Sequence, residues 1–486
     1  MDGFQVELLQ RLPLTQSVLR LFSYMLDEAL LSELFDAYRG RCYEDVLSFP
    51  ALTYLVRDAL VLHQGSGHQT FVKEQVAERL PVAMQNVYAK LARVPLALSV
   101  ALLRAGGERL VPLVPANRVA AVLPKSLSGL RVMVFDGKQI KNAAKRLKVL
   151  RGLPGKMLGG KLLVALDLVR GLVIAIEADP DGERNDVPLV PGLVRQVHGQ
   201  VAEPILWVGD RQFGGIRVPR WLIERPGDHF LVRCTVSVKL EADPQRPPRH
   251  GVDSEGRRYT EEWGWVGSAK KGRLYVRRMT LEREGAEAVI LITDLLDEHR
   301  WSTADLLVTY LQRWGIERVF QKITEVFHLE TLIGCSPQAM IFQAVLCFLL
   351  YDIIQVLQAY VAEDGGRSRD QVSTEMLFRD VEKQMSAWQE LGDPEVAVAL
   401  LAVPAEKRHS GPDTRPSHSL KEMCRWLRET LKGCWRDEWT KSPPKRKRSL
   451  PKEELRATVP RGHSGHSSTW RCIQAAKSQT KRRRRS

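Results

Sequence analysis

The stretch VMVFDGK, residues 132–138, places an acidic residue at the end of an apolar run. Val132 to Phe135 predict a buried β-strand, and Gly137 predicts its boundary. Asp136 is therefore expected where this strand emerges from the core. An Asp–Gly pair is also ordinary turn chemistry, so this stretch alone leaves two interpretations open: Asp136 caps a turn, or it holds a metal ion.

The composition is that of a globular protein. The 486 residues suggest roughly three domains, and 44% of them are hydrophobic. The longest apolar run, residues 340–357, contains Gln343, Asp352 and Gln355, which favours a buried helix over a membrane span. The seven cysteines are scattered without a CxxC pair, which argues against a zinc module and favours a reducing compartment. We therefore expect a cytoplasmic protein that does not bind a membrane.

The positive charge is concentrated at the C-terminus. Residues 441–486 contain 15 Lys or Arg and 2 Asp or Glu, so they supply +13 of the formal net charge of +15. The other 440 residues carry 57 basic and 55 acidic side chains. Basic segments with Pro and Ser, such as PPKRKRSLPKEE, are typical of disordered tails that contact polyanions. We predict a disordered tail over 441–486 that binds nucleic acid, and a solubilising tail is the alternative.

Apolar residues recur at helical spacing over the first 125 residues, for example in QSVLRLFSYMLDEALLSELFDAYR and ALTYLVRDALVL. This spacing predicts a helical N-terminal domain over residues 1–125. Residues 70–93 predict two helices around Pro81, which is compatible with a helix-turn-helix. Two ordinary packed helices fit this segment at least as well.

From residue 126 the pattern becomes that of a mixed α/β sheet. Residues 161–179 predict a hairpin that turns at Arg170–Gly171, and PILWVGDRQF, residues 204–213, predicts a second strand ending in Asp210. Because α/β folds place ligands at the C-terminal ends of strands, Asp136 and Asp210 together indicate a site. Two turn caps remain the alternative.

A β-rich insertion is predicted at about 235–300, where RRYTEEWGWVG and GRLYVRRMTLE are rich in β-forming residues. Trp263 and Trp265 are two residues apart and therefore face the same side of a strand. Packing against the sheet is the default for two such tryptophans. The alternative to packing is that the tryptophans stack on an unpaired DNA base.

The segment TADLLVTYLQRWGIERVFQKITEVFHLE, residues 303–330, predicts one long amphipathic helix. Beside its apolar stripe, Tyr310, Arg313 and Glu317 recur at intervals of three or four residues, and the same stripe continues to Thr324. Packing alone does not need an acid, a guanidinium and a phenol on one edge of a buried helix. An Arg313–Glu317 surface ion pair of little energetic consequence is the alternative.

The three motifs VFDGK, VGDRQF and YLQRWGIE, in this order, resemble those of DDE transposases. The resemblance is closest to the IS-four group of bacterial insertion sequences, whose third motif is Tyr-x2-Arg-x3-Glu-x6-Lys, and it covers roughly residues 126–360. It implies a ribonuclease-H-like mixed sheet with a β insertion before the last Glu. One departure is Thr324, which stands where the group has Lys. Lys322 is close in sequence but lies about 140° round the helix from Glu317.

The resemblance implies that Asp136, Asp210 and Glu317 are the catalytic carboxylates and hold two Mg²⁺ ions, for which Mn²⁺ would substitute. Carboxylate oxygens are the hard ligands that Mg²⁺ prefers, and two such ions clamp a phosphodiester for in-line displacement. Gly137 would leave room beside Asp136. The candidate DNA contacts are Tyr310, Arg313, Lys322, Trp263 and Trp265.

The resulting hypothesis is a transposase that cuts and joins the ends of an insertion sequence. The predicted organisation is an end-binding helical domain over 1–125, a catalytic domain over 126–360, a helical region over 361–440 and the basic tail. The resemblance implies terminal inverted repeats and target DNA as partners, a homodimer on paired ends, and action at the nucleoid of a bacterial cytoplasm. A ribonuclease-H-like nuclease without strand transfer and a non-catalytic DNA-binding descendant of a transposase are the alternatives.

Overall fold

The centre of the protein is a large mixed β-sheet with helices packed on it. The computed structural model describes residues 11–483 apart from 43, 45, 142, 144, 146–147, 154, 254–255, 269–271, 283–286, 392–418 and 442–465. Ten strands of this described part form one sheet, and β2 and β12 pair separately. The strands are β1 (Arg131–Ile140), β2 (Lys156–Leu158), β3 (Gly160–Asp167), β4 (Leu172–Asp179), β5 (Ile205–Gly209), β6 (His229–Cys234), β7 (Leu240–Ala242), β8 (Arg249–Val252), β9 (Arg258–Ser268), β10 (Gly272–Leu281), β11 (Val289–Thr293) and β12 (His466–Ser468).

The first half of the sheet has the strand order β4-β3-β1-β5-β6. β3 runs antiparallel to both β1 and β4, whereas β1, β5 and β6 are parallel. The β3–β4 hairpin turns where predicted, and Gly171 takes a φ of +69° there, a conformation that Gly adopts without the usual steric cost. The prediction of a mixed α/β fold is confirmed.

β1 continues past Asp136, the residue at which the apolar run predicts the end of the strand. Its parallel pairing with β5 stops at Phe135 opposite Gly209. Its antiparallel pairing with β3 continues from Asp136 opposite Val164 to Ile140 opposite Gly160. The apolar run therefore marked only the part of the strand that has neighbours on both edges, because the side chains of residues 136–139 are only partly buried.

The residues predicted as a β-rich insertion extend the same sheet. β11 pairs antiparallel with β6, and β10, β9 and β7 follow outward in that order, with β8 also paired to β9. The insertion thus adds strands at the edge beyond β6 and leaves the pairing of β1 with β5 intact.

The helices are α1 (Pro13–Met25), α2 (Glu28–Tyr38), α3 (Phe49–Leu62), α4 (Gly67–Val76), α5 (Met84–Leu91), α6 (Leu96–Leu110), α7 (Val190–His198), α8 (Arg217–Leu222), α9 (Thr303–Leu311), α10 (Trp314–Glu325), α11 (Pro337–Asp364), α12 (Thr374–Leu391), α13 (Leu420–Leu431) and α14 (Thr469–Arg483). By length and composition alone α11 could cross a membrane, but all of its apolar window is buried inside the protein. α6 packs on α11 and on β4, and the apolar side chains of α1 to α6 join the same core as the sheet. The helices α4 and α5 flank Pro81 as predicted, and their contact with DNA stays a prediction.

The segment predicted as one helix over 303–330 is two helices. α9 ends at Leu311 and α10 begins at Trp314, and the backbone amides of Arg313 and Gly315 donate to Tyr310 and Gln312 in the tight turn between them. The helical periodicity of the sequence continues through this turn, because one tight turn changes the phase of the apolar stripe only slightly. The spacing of apolar residues therefore did not predict the break between α9 and α10.

The C-terminus differs from the predicted disordered tail. Within it, β12 pairs in parallel with β2, α14 follows directly, and the Arg471 guanidinium contacts Asp181 at 2.8 Å and also the carboxylate of Glu183. Strand pairing and ion pairs with distant residues are tertiary interactions that composition cannot predict. The most Pro- and Lys-rich part of the tail, residues 442–465, lies outside the described residues.

Candidate active site

The alternation of β1 places Asp136 on a defined face of the sheet. Val132 and Val134 join the core that contains α10 and α11, whereas Met133 and Phe135 join the core on the opposite face. Successive side chains of a strand point to opposite faces, so Asp136 shares the face of Val132 and Val134. The side chain therefore points toward the layer in which α10 lies.

Asp210 follows β5 by the same rule. Leu206 and Val208 belong to the α10 and α11 core, which puts Asp210 on that face too, immediately after the strand. Because Phe135 pairs with Gly209 in the parallel ladder, Asp136 and Asp210 are the next residues of neighbouring strands. Two adjacent parallel strands thus present one carboxylate each on the same side.

The carboxyl group of Asp136 lies in a crowded, mostly buried environment. Its side chain is 20% exposed, and one oxygen accepts a hydrogen bond from the backbone amide of Gly137 at 2.8 Å. Burial, with additional repulsion from Asp210 and Glu317, raises the pKa of Asp136 to about 6. The three acids predicted from sequence therefore act on one another electrostatically.

Arg313 is the cation between these acids. Its Nη2 donates to Oε1 of Glu317 at 2.9 Å, and its Nη1 lies 3.5 Å from Oδ2 of Asp136. The Arg313 side chain is only 5% exposed and that of Glu317 is 37% exposed, so the pair is buried at its arginine end. Burial would lower the pKa of Arg313, but the neighbouring groups, led by Tyr310 and Asp210, outweigh burial and raise it. Nη1 and Nε make no hydrogen bond to any of the described residues.

Tyr310 lies in the last turn of α9, behind Arg313. Its ring is 5% exposed, and the Arg313 guanidinium lies 5.8 Å from the ring centroid. Burial raises the pKa of the Tyr310 phenol to about 12, so the hydroxyl is a neutral group at physiological pH. The break between α9 and α10 thus brings Tyr310, Arg313 and Glu317 together across a turn rather than along one helix.

Lys138 was not among the predicted site residues. It lies two positions after Asp136, on the same face of β1, and its Nζ donates to Oγ1 of Thr324 at 2.7 Å and to the carbonyl of Phe320 at 3.2 Å. Burial lowers the pKa of Lys138 to about 8. The family motif has a lysine at the position of Thr324 on α10, and here Lys138 of β1 contacts that position instead. The two-residue spacing from Asp136, which places Lys138 on the same face of the strand, could have predicted it from the sequence.

Gly137 has a different role from the one predicted. A Cβ at this position would lie 2.4 Å from the carboxylate of Asp186, on the face opposite to Asp136. Asp186 is buried and pairs with Lys161 at 2.7 Å. The glycine therefore makes room for this buried ion pair and not for a ligand of Asp136.

The remaining predicted DNA contacts lie away from the carboxylates. Trp263 is buried and donates its indole N–H to the carbonyl of Leu296 at 3.0 Å, so it packs in the sheet and is not accessible to a base. Trp265 is partly exposed, with Tyr275 packed against its ring. Lys322 projects from another side of α10 and donates to Oγ1 of Thr374 at 2.7 Å. A DNA contact by Trp265 or Lys322 stays a prediction.

The acids are not gathered as a finished metal centre. Among the described residues, no group of three or more His, Cys, Asp or Glu side chains lies close enough together to hold a metal ion. Asp136 and Glu317 instead share the Arg313 guanidinium. The site is thus a cluster of carboxylates around the buried Arg313 guanidinium.

Residues 128–353 match a family model described as "Transposase DDE domain". The match supports a DDE transposase. The matched segment contains β1, β5, α9 and α10, and with them all three acids, Tyr310 and Arg313. No curated protein matches the chain. Among solved structures, the cryo-EM structure of the piggyBac transposase synaptic complex with hairpin DNA has a TM-score of 0.40 and 11% sequence identity, covering 91% of this chain and 88% of that chain.

Proposed function

We propose that the protein is a DNA transposase of the IS-four group, which cuts the ends of an insertion sequence and joins them to target DNA. The observation that carries this proposal is the convergence of Asp136, Asp210 and Glu317 around Arg313 inside the segment that matches the transposase DDE domain. The three residues come from two strands and one helix. Their meeting on one face of the sheet supports a shared chemical task.

The strand order β4-β3-β1-β5-β6, in which β3 is the one strand that runs against the others, supports a ribonuclease-H-like core. In this proposal β1 supplies the first acid and β5 the second. The strands β7 to β11 form the insertion before the helix that supplies the third. Because the insertion continues the sheet beyond β6, it leaves the face that carries the carboxylates free for α10.

The donor set suits divalent cations. Asp136, Asp210 and Glu317 offer hard oxygen ligands, and their repulsion contributes to the raised pKa of Asp136, which a bound cation would relieve. We propose that these three residues hold two Mg²⁺ ions, with Mn²⁺ as a substitute. Such ions, when bound, activate the attacking oxygen and stabilise the leaving oxygen of a phosphodiester.

The protein's own cations would position the DNA. Two buried nitrogen atoms of Arg313, Nε and Nη1, make no hydrogen bond to the described residues, although Nη1 lies 3.5 Å from Asp136, and a guanidinium fork suits a phosphate. Tyr310 packs beside Arg313, and we propose that its hydroxyl also contacts a DNA phosphate. Lys138 would add a second positive charge beside Asp136, on the same face of β1. These cations would hold the backbone of a double-stranded end next to the carboxylates, with a homodimer pairing two ends.

The test uses double-stranded DNA that ends in the inverted repeats flanking the gene. We expect the protein to nick this DNA in Mg²⁺, and we expect Asp136→Asn, Asp210→Asn and Glu317→Gln each to abolish nicking without loss of end binding. The matched control is Glu325→Gln, because Glu325 is an exposed acid of the same helix and should leave the rate unchanged.

The outcomes separate the three functional classes. Joining of a cut 3′ end to target DNA supports the transposase, whereas nicking without any joining favours a nuclease. End binding without metal-dependent nicking by the wild-type protein would favour a non-catalytic DNA-binding protein. Substantial nicking by one of the three acid variants would remove that residue from the proposed metal site.

A further inference from the structure

A second group of cations lines a cavity on another side of α10. The cavity has a volume of about 510 Å³ and lies between α10, α11, the start of α12 and the loop that precedes β1. Gly315, Arg318, Val319 and Lys322 face it from α10 at the spacing of one helical stripe. Glu317 belongs to the stripe that faces β1, so this cavity is distinct from the carboxylate cluster.

Four cationic side chains line the cavity, namely Arg318, Lys322, Arg369 and Lys441. Among the described residues, none of the four has a carboxylate oxygen within 4 Å. One acid, Asp370, lines the cavity with them. Such an excess of unpaired positive charge does not stabilise a fold by itself, because like charges repel.

Arg369 is the most deeply placed of these cations. It is 2% exposed, and its Nη1 donates to the carbonyl of Arg170 at 2.6 Å while Nη2 donates to Gln355 at 3.2 Å. Its Nε has no hydrogen-bond partner in the described part of the chain. Burial lowers the pKa of Arg369 to about 10, against the opposing influence of Tyr351, Asp352 and Asp167, so the guanidinium remains charged at neutral pH.

Lys322 is half-buried, whereas Lys441 is exposed at the rim of the cavity. Lys322 donates to the hydroxyl of Thr374, and Lys441 donates to the backbone carbonyl of Asp370, so each has donors to spare. Burial lowers the pKa of Lys322 to about 8; repulsion from Lys441, Arg318 and Arg369 adds to this shift, and attraction to Glu375 opposes it. The repulsion among these four cations destabilises the folded protein, and an anion bound in the cavity would relieve it.

We propose that this cavity is a second phosphate-binding site, for a phosphate group either of the DNA backbone or of a free nucleotide. Several cations at the wall of a cavity of about 510 Å³, which is within the range of small-ligand sites, match an anion with several oxygens. Guanidinium groups suit phosphate through paired N–H donors. The site does not depend on the proposed catalytic activity, because it uses none of the three acids.

The test is thermal unfolding of the full-length protein in EDTA with increasing inorganic pyrophosphate. We expect a dose-dependent rise in Tm, since a ligand that binds the folded state stabilises it. Arg318→Gln combined with Lys441→Gln should weaken the apparent affinity at least tenfold. The matched control is Lys421→Gln combined with Arg425→Gln, which removes the same charges from the exposed face of α13 and should retain the response.

A third variant, Lys322→Met, should raise the Tm without ligand, because a half-buried unpaired ammonium is removed, and should also lose the pyrophosphate response. Radiolabelled pyrophosphate then identifies the source of the phosphate. Its displacement by duplex DNA indicates a DNA backbone phosphate, and its retention on the DNA-bound protein indicates a free nucleotide. The absence of any pyrophosphate-dependent rise in Tm, or an equal loss of response in the control variant, would overturn the proposal.

Discussion

Replacing Asp136 with Asn should stabilise the metal-free protein while abolishing cleavage. Burial and the neighbouring acids raise the pKa of Asp136 from 3.8 to about 6. The folded state therefore binds this proton more tightly than the unfolded state does. The contribution of Asp136 to stability is fully present below about pH 4 and is lost as the pH rises through about 6.

The size of the effect follows from the shift. At about 1.36 kcal/mol per pKa unit, the ionised carboxylate costs the folded protein about 3 kcal/mol at pH 8 and about 1.5 kcal/mol at pH 5. Asn resembles the neutral carboxyl group, so the variant carries no ionised group at this position and is not destabilised at either pH. The stability advantage of Asp136→Asn over the wild type should therefore be about 1.5 kcal/mol larger at pH 8 than at pH 5.

The assay is urea unfolding of both proteins in EDTA at the two pH values. Titrating groups far from Asp136 are common to both proteins and cancel in the comparison. Asp36→Asn is the control, since this carboxylate of α2 is 78% exposed and its removal should give no pH-dependent difference. An advantage of Asp136→Asn that is equal at both pH values, or a variant less stable than wild type at pH 8, would refute the placement of Asp136 in a buried acidic cluster.

Two further predictions concern the cations of the site. Arg313→Ala should lower strand transfer about 100-fold, a loss typical of removing one group that stabilises transition-state charge. Arg313→Lys should restore strand transfer only in part, because an ammonium lacks the guanidinium fork. Full activity of the lysine variant in a joining assay would contradict this role. Thr324→Lys should lower the urea midpoint, because the new ammonium group would be repelled by that of Lys138. Adding Lys138→Met should restore the midpoint. Additive effects of the two substitutions on stability would show that the side chains do not interact.

The sequence alone was sufficient to identify the candidate acids and the motif that joins them. Asp136 and Asp210 each follow an apolar strand, and such strands are recognisable because both faces of a central sheet must be apolar. Glu317 and Arg313 are four residues apart, and that spacing predicts proximity on any helix. The mixed α/β sheet and the β3–β4 hairpin were predictable for the same reason, since local periodicity and turn residues encode them.

Tertiary structure decided what surrounds these residues. The break at Gln312–Arg313, the reach of Lys138 to Thr324 and the burial of Trp263 all depend on which elements pack together. A periodic pattern records which face of an element is covered, but it does not record what covers that face. Gly137 illustrates the difference: the sequence shows a residue without a side chain, and only the packed structure shows that the space belongs to Asp186.

The C-terminus and the basic cavity have the same physical origin. Arg471 belongs to a strongly basic segment, yet it is held by Asp181 and Glu183, nearly 300 residues away in the sequence. Arg318, Lys322, Arg369 and Lys441 are scattered over more than 120 residues and converge only because α10, α11 and α12 enclose one cavity. Local patterns fix strands, helices and the spacing of charges within them. Contacts between residues distant in sequence are set by the packing of the whole chain, so the chemistry of a site assembled from such contacts becomes visible only in the folded protein.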